Sequence, residues 1–553
     1  MHGEDDVTEP VRFLLCQLVG LASALLFRRY LRPAVAGAAA RHLALTALGV
    51  LLLHVCYGEQ ARHLLAQAAL TFAAIRLAPA HSVHIVCLLV AMAYLSLIHI
   101  QQLVTPRRDV HISGPVMVST MKVTLLAFNI HDGSPFCKLD LEAKPELRRL
   151  AIRRLPSLVE FLGFFFNFPT LFAGPMLDFR TYLDFIEQGP CSVQIPAQST
   201  GGAPRLMTPD PVPAVTRKMA AAVFFALCIA ILVPRFPLSF IGAEEYQRWW
   251  WPLRWGYVLL VCALVRSKYY TVWLMADANC NASGLGFNGL TLEGRQRWNA
   301  VSNVFVSKVE WGVNFREVLE GWNVHTHRWL RLVVYERTRR HRTALVYALS
   351  AVWHGFHPVY YLTFATGALC TQAGRTAHRC LWPRVQHVPW LCPWYELAGR
   401  LATHLCVVYI ELPFALLDLR MALVVYRSFY FVVHIACVVM ILLVPKLFPP
   451  LRKPVPVDLT SDAAAHCETA TGWPTNGGNA VDPQANGSAS LRLRVNGEVS
   501  TNIFANQSLS ADVAASHYFS TDASSNRCSG RDFTRGEREL GGREPAGGIT
   551  RRL

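Results

Sequence analysis

Apolar runs approaching the length of a membrane-crossing helix recur from residue 11 to residue 447 of this 553-residue chain. They lie near 11–27, 42–56, 64–75, 83–98, 116–128, 159–172, 219–233, 255–264, 344–369, 401–417 and 424–447. A helix needs about 20 apolar residues to cross the hydrocarbon core, and in lipid the backbone must satisfy its own hydrogen bonds. The expected fold is therefore all-α: a polytopic helical membrane protein of about ten to eleven membrane helices. The shorter runs are expected to be tilted, re-entrant or buried within the bundle. Charged residues make up only 16% of the chain and hydrophobic ones 52%, against about 25% charged in soluble domains.

The chain divides at about residue 450. Residues 451–553 are rich in Ser, Thr, Asn, Gly and Ala, cannot bury enough apolar surface to offset chain entropy, and are expected to form a disordered tail. That stretch holds 11 Lys/Arg and 11 Asp/Glu, so the whole net charge of +16 falls on residues 1–450, the multi-pass domain. Basic cytosolic loops and anionic lipid are the first accounts of such an excess; an anionic, phosphate-bearing co-substrate is the sharper alternative. No aromatic-basic recognition motif accompanies the charge, which argues against nucleic acid.

Ionisable groups inside an apolar body are costly and mark function by default. Three runs stand out. In Ser350-Ala-Val-Trp353-His354-Gly355-Phe-His357-Pro358-Val-Tyr-Tyr361, a continuous helix would bring Tyr347, Ser350, His354, His357 and Tyr361 to one face, and Pro358 permits a kink or break. The plain alternative is a satisfied histidine bridging two helices. Two histidines at i,i+3 without a carboxylate make a poor metal site, and no metal or other bound cofactor is expected. The second run holds Trp322-Asn323-Val-His325-Thr-His327-Arg328-Trp329-Leu-Arg331, followed by a basic block from Arg337 to Arg342. That block reads as a cytosolic loop, a phosphate clamp, or both. The third, Arg266-Ser-Lys268-Tyr269-Tyr270-Thr-Val-Trp273, sets two cations beside three aromatics, suited to a lipid headgroup or nucleotide phosphate, or to an interfacial anchor.

Taken together these runs resemble the membrane-bound O-acyltransferase family, and within it the lysophospholipid acyltransferase branch. Trp353-His354-Gly355 with Pro358, Tyr360 and Tyr361 looks like the family's WHGxxPGYY box. Arg266 to Trp273 matches its RxKYYxxW box, and Trp322-Asn323 with Thr326, Trp329, Leu330 and Arg331 resembles its asparagine-bearing segment. Tyr409 and Phe414 fit a YxxxxF box. Upstream, MKVTLLAFNIHDG ending at Gly133, PSLVEFLGFFFNFPTLFAGP ending at Pro175, and Gly284-Leu-Gly-Phe-Asn-Gly289 also look like this branch, all in the expected order. One departure is Val359, where the branch has Gly; the stiffer side chain bears on substrate preference.

The resemblance implies transfer of a fatty acyl group from acyl-CoA, the co-substrate, to the free hydroxyl of a lysophospholipid, in the endoplasmic reticulum membrane. It implies catalytic roles for His354, as general base, and for Asn323, which either orients an acceptor oxygen or stabilises the developing oxyanion. It implies a substrate site drawing on Arg266, Lys268, Tyr269, Tyr270, Trp273, Arg331, Trp353, Gly355 and Tyr361. In this reading Arg331 and the Arg337–Arg342 block meet CoA phosphates, while Arg266 and Lys268 meet the phospholipid phosphate, or the reverse. A relative acting on diacylglycerol or a sterol is the alternative within the superfamily. A polytopic transporter with intramembrane His and Arg along its path is the alternative outside it.

Overall fold

The computed structural model describes residues 8–105, 112–189, 193–195, 205–291 and 293–450. The expected tail, 451–553, lies outside the described residues. Among the described residues the regular structure is helical, apart from a short antiparallel ribbon that pairs Val193–Ile195 with Arg205–Met207 and an isolated bridge between Leu290 and Gln296.

Among the described residues, six helical segments are long and apolar enough to cross a membrane: Val11–Tyr30, Ala38–Leu77, Val83–Val104, Val212–Leu232, Trp251–Ser283 and Cys392–Leu416. A bent pair, Leu419–Ser428 with Val432–Leu447, makes a seventh if counted as one span. The difference from ten or eleven has physical causes. Ala38–Leu77 joins two of the expected runs across a single 3₁₀ turn at Gly58–Gln60. The run near 116–128 belongs to Ser113–Asp132, a helix buried on nearly all sides. Having no lipid face, that helix tolerates Ser119, Thr120, Lys122, Thr124, Asn129 and Asp132, all buried. Its Lys122 Nζ donates to the Phe165 carbonyl at 3.1 Å and to Thr170 Oγ1 at 3.3 Å. The run near 159–172 yields only the eight-residue helix Leu158–Phe165 and a 3₁₀ turn. That helix starts at a capping box in which Ser157 Oγ accepts from the Glu160 N–H at 3.3 Å and Glu160 accepts from the Ser157 N–H at 2.6 Å. The run near 344–369 is split at Gly355 into helices Arg342–His354 and Pro358–Cys380.

The lipid-facing character of the outer helices is legible in their exposed leucines: Leu26, Leu51, Leu89, Leu97 and Leu227 are each more than half exposed. In a soluble bundle such surfaces would drive association; in a bilayer they are solvated by acyl chains. Inside, one core joins the N-terminal helices to Trp329 and Trp353. A second gathers Trp251–Ser283 with Pro358–Cys380, Cys392–Leu416 and the C-terminal helices. A third gathers Tyr270, Trp273 and Trp322. The chain is a multi-pass membrane protein.

Candidate active site

His354 is the last residue of the Arg342–His354 helix. Gly355 ends that helix at φ 120°, ψ −167°, a region open essentially to glycine alone. The break turns the chain sharply, so the helical face expected to run through His357 and Tyr361 does not form. Pro358 instead opens the next helix at its first position, where its missing N–H costs nothing. The His354 ring sits among aromatic rings: Trp353 at 4.7 Å, Phe364 at 5.1 Å, Phe414 at 5.2 Å and Tyr360 at 5.9 Å between centroids. Phe414 arrives from the Cys392–Leu416 helix, which brings one end of the YxxxxF segment to the histidine. Tyr409, the other end, stacks on Tyr426 at 4.1 Å instead. Tyr361 is 41% exposed; Tyr360, not Tyr361, meets the histidine. Trp353 is buried and donates Nε1–H to the Met117 carbonyl at 3.1 Å, so it anchors the helix end.

A residue the sequence reading passed over completes this turn. His99, buried on Val83–Val104, donates Nε2–H to the Trp353 carbonyl at 3.1 Å; a carbonyl only accepts, which sets the tautomer. Its ring also lies against Gly355, where an added Cβ would stand 3.1 Å from His99 Cγ. Gly355→Ala therefore meets both a forbidden φ and an occupied space. Strain of about 1–3 kcal/mol is expected to displace His354 and lower kcat at least about tenfold. Gly374→Ala, in a helix with open space around the position, is expected to retain activity. Steady-state rates of the two variants, compared at equal protein in membranes, check this.

Asn323 sits between helices Phe315–Gly321 and Val324–Leu330 in the left-handed conformation, φ 46°, ψ 51°, which asparagine tolerates better than most residues. Its Oδ1 accepts from Thr326 Oγ1–H at 2.8 Å and from Asn303 Nδ2–H at 3.1 Å. The preceding Trp322 fills a nest of rings from the Trp251–Ser283 helix: Trp273 at 4.9 Å, Tyr269 at 5.4 Å and Tyr270 at 6.0 Å. The aromatic half of the RxKYYxxW segment thus braces the asparagine-bearing turn.

The cations divide differently from expectation. Arg266 is buried and engaged on every side. Nε and Nη2 make a two-pronged contact with Glu310 at 2.7 and 2.8 Å, and Nη1 reaches Glu411 at 2.6 Å. Tyr270 O–H donates to the same Glu310 at 2.5 Å. A guanidinium closed in by two carboxylates has no room for a phosphate, so the expected phosphate role of Arg266 gives way to tying three helical segments together. Lys268, two residues on and so about 200° around the helix from Arg266, is exposed. Arg331 pairs with Glu146, which also holds Arg328 at 2.8 Å; Arg328 reaches Asp178 at 3.0 Å. Asp178 lies outside the candidate spans. Burial opposes its ionisation, but Arg328, Arg149 and the Thr181 N–H outweigh that and hold the carboxyl down at about 2. In the basic block, Arg337 grips both oxygens of Asp132 at 2.7 Å, whereas Arg339 and Arg340 are exposed.

Among the described residues one group, His131, Asp132 and Cys137, sets His, carboxylate and thiol ligand atoms within 4.8 Å of one another. The Arg337 guanidinium already neutralises that carboxylate, which disfavours a cation there. Apart from His99 and Asn303, sequence reasoning missed Glu310 and Glu411. The test that singled out His354, an ionisable group within an apolar run, also fits His99 and Glu411.

The family model for the membrane-bound O-acyltransferases matches residues 46–395. "Lysophospholipid acyltransferase 6" of Drosophila melanogaster is 35% identical over 456 residues, covering 80% of this chain; the alignment spans 62% of that relative's length. "Membrane-bound glycerophospholipid O-acyltransferase 2" of Rattus norvegicus is 34% identical, with 80% of this chain and 86% of the relative covered. "Membrane-bound glycerophospholipid O-acyltransferase 1" of Mus musculus is 34% identical, with 79% and 90% covered. The stretch matched by the family model contains the broken helix at His354, the turn at Asn323, and Arg266 with its partner Glu310. On that extent of agreement, the chain belongs to the membrane-bound O-acyltransferase family.

Proposed function

We propose that this chain transfers a fatty acyl group from acyl-CoA to the free hydroxyl of a lysophospholipid, in the endoplasmic reticulum membrane. The observation that carries the reading is a histidine at a helix break, seated in an aromatic pocket of the apolar body, in a chain whose relatives are named for lysophospholipid and glycerophospholipid acyl transfer.

An alcohol is a weak nucleophile at neutral pH, so a positioned base is required. His354 takes the hydroxyl proton as the oxygen attacks the thioester carbonyl. The C–O bond forms, the C–S bond breaks with its electron pair going to sulfur, and the proton passes from His354 to the departing CoA. The rings of Trp353, Tyr360, Phe364 and Phe414 hold the imidazole and exclude water, which would otherwise compete for the acyl group. Exposed Arg339 and Arg340 suit the CoA phosphates, and Lys268 suits the phosphate of the lipid acceptor. Residues 1–450 supply this machinery.

The test is transfer of labelled acyl groups from acyl-CoA in membranes of an acyltransferase-deficient host expressing this chain. Lysophospholipids of several headgroups are supplied beside diacylglycerol and a sterol. Labelled phospholipid from one or more lysophospholipids is the expected result. Label confined to diacylglycerol or sterol would overturn the acceptor assignment.

A further inference from the structure

Asn323 offers two chemically opposite ends, an accepting Oδ1 and a donating Nδ2, and its role depends on which end faces the reactants. The hydrogen bonds around it decide the matter from a single unambiguous group. The backbone N–H of His325 only donates, and it donates to Asn303 Oδ1 at 3.1 Å. The other end of the Asn303 amide is therefore Nδ2, and this is the end that faces Asn323 at 3.1 Å. A donor there requires an acceptor opposite, so Asn323 presents Oδ1 inward. Thr326 O–H adds a second donor to the same oxygen at 2.8 Å. With Oδ1 occupied twice, Nδ2 is left outward, and no described residue accepts from it. Asn303 is itself held firmly: it is only 5% exposed, and its carbonyl accepts from the Val324 N–H at 2.9 Å.

We propose that Asn303 is a positioning residue that sets the amide of Asn323, so that Asn323 acts as a hydrogen-bond donor to the oxygen that gains negative charge as the thioester is attacked. Accepting the proton of an acceptor hydroxyl through Oδ1 is incompatible with that oxygen being filled from inside. The arrangement is preorganised: a backbone amide, an asparagine and a threonine fix the donor before substrate arrives, so no reorientation is needed as charge develops.

This inference rests on the acyl-transfer reading above, and the experiment separates the two. CoA thiol release by the purified full-length protein is followed with lysophospholipid, with other lipid alcohols, and with water as the only acceptor. Asn303→Asp keeps an oxygen for the His325 N–H but turns a second oxygen toward Asn323, whose amide must then flip to donate inward. That loss of the outward donor is expected to lower kcat about 10²-fold, with the KM for acyl-CoA unchanged. Asn323→Asp keeps the inward oxygen and removes the donor, and is expected to give the same split between kcat and KM. Asn303→Ala brings no charge into the site and serves if Asn303→Asp does not fold. It is expected to lower kcat in the wild-type background and to have little further effect in Asn323→Asp, because no donor remains to be oriented. Wild-type kcat in the Asn303 variants, or effects that simply multiply in the double variant, would overturn the positioning role. CoA release to water or another alcohol but to no lysophospholipid would overturn the acceptor assignment, and those rates still decide the role of Asn303.

Discussion

His354→Ala is expected to abolish acyl transfer, lowering kcat by at least about 10²–10⁴-fold, in a protein that still folds and inserts. The two halves of that expectation come from different observations. The catalytic half follows from the chemistry: with no base to take the proton, the lipid hydroxyl must attack as a neutral alcohol. The structural half follows from how the turn is held. The helix end is anchored by Trp353, which donates to the Met117 carbonyl at 3.1 Å, and by His99, which donates to the Trp353 carbonyl at 3.1 Å. Neither bond uses the His354 side chain. Its removal leaves a space among Tyr360, Phe364 and Phe414 but no uncompensated buried charge. Transfer rates, with membrane-integrated protein quantified in parallel, check the result. Substantial retained activity would exclude His354 as the base.

Arg266→Met is expected to destabilise the protein by about 3–5 kcal/mol, in the absence of any substrate. The guanidinium sits between Glu310 and Glu411, with side chains 27% and 15% exposed. Removing it leaves two carboxylates facing each other without a counter-charge. These three residues come from the Trp251–Ser283, Val306–Trp311 and Cys392–Leu416 helices, so the loss loosens the scaffold behind both Trp322 and Phe414. Adding Glu310→Gln and Glu411→Gln to Arg266→Met is expected to recover much of the stability, because a neutral set no longer carries the repulsion. Thermal unfolding in detergent separates this from a phosphate-binding role. A ligand-binding arginine would leave the unfolding temperature of the empty protein unchanged and raise only a KM.

The sequence carried the membrane class, and brought His354 and Asn323 forward as candidates, for identifiable reasons. Lipid solvates apolar side chains wherever they lie along a run, so run length and charge depletion report spans without knowledge of packing. They overcount wherever a run is buried on all sides. Ser113–Asp132 is such a case: buried Lys122 and Asp132 find partners in Thr170 and Arg337 that lie far along the chain. The histidine stood out because its polar character conflicts with its surroundings, and both it and the asparagine fall in segments whose local spacing resembles the family's motifs.

What a linear pattern leaves undetermined is which partner a charge or a dipole meets. Arg266 reads as a free cation until Glu310 and Glu411, 44 and 145 positions away, close on it. Tyr360 and Tyr361 are adjacent in the chain, and only the break at Gly355 selects Tyr360 for the histidine. His99 lies 254 positions before the carbonyl it holds, and no local period connects the two. The orientation of Asn323 depends on a hydrogen-bond chain that begins at the His325 N–H and passes through Asn303. Residue chemistry and apolar run length, both local properties, placed this chain in the membrane and singled out His354 as the candidate base. Ion pairing and amide direction arise from long-range contacts, and only the tertiary structure decided them.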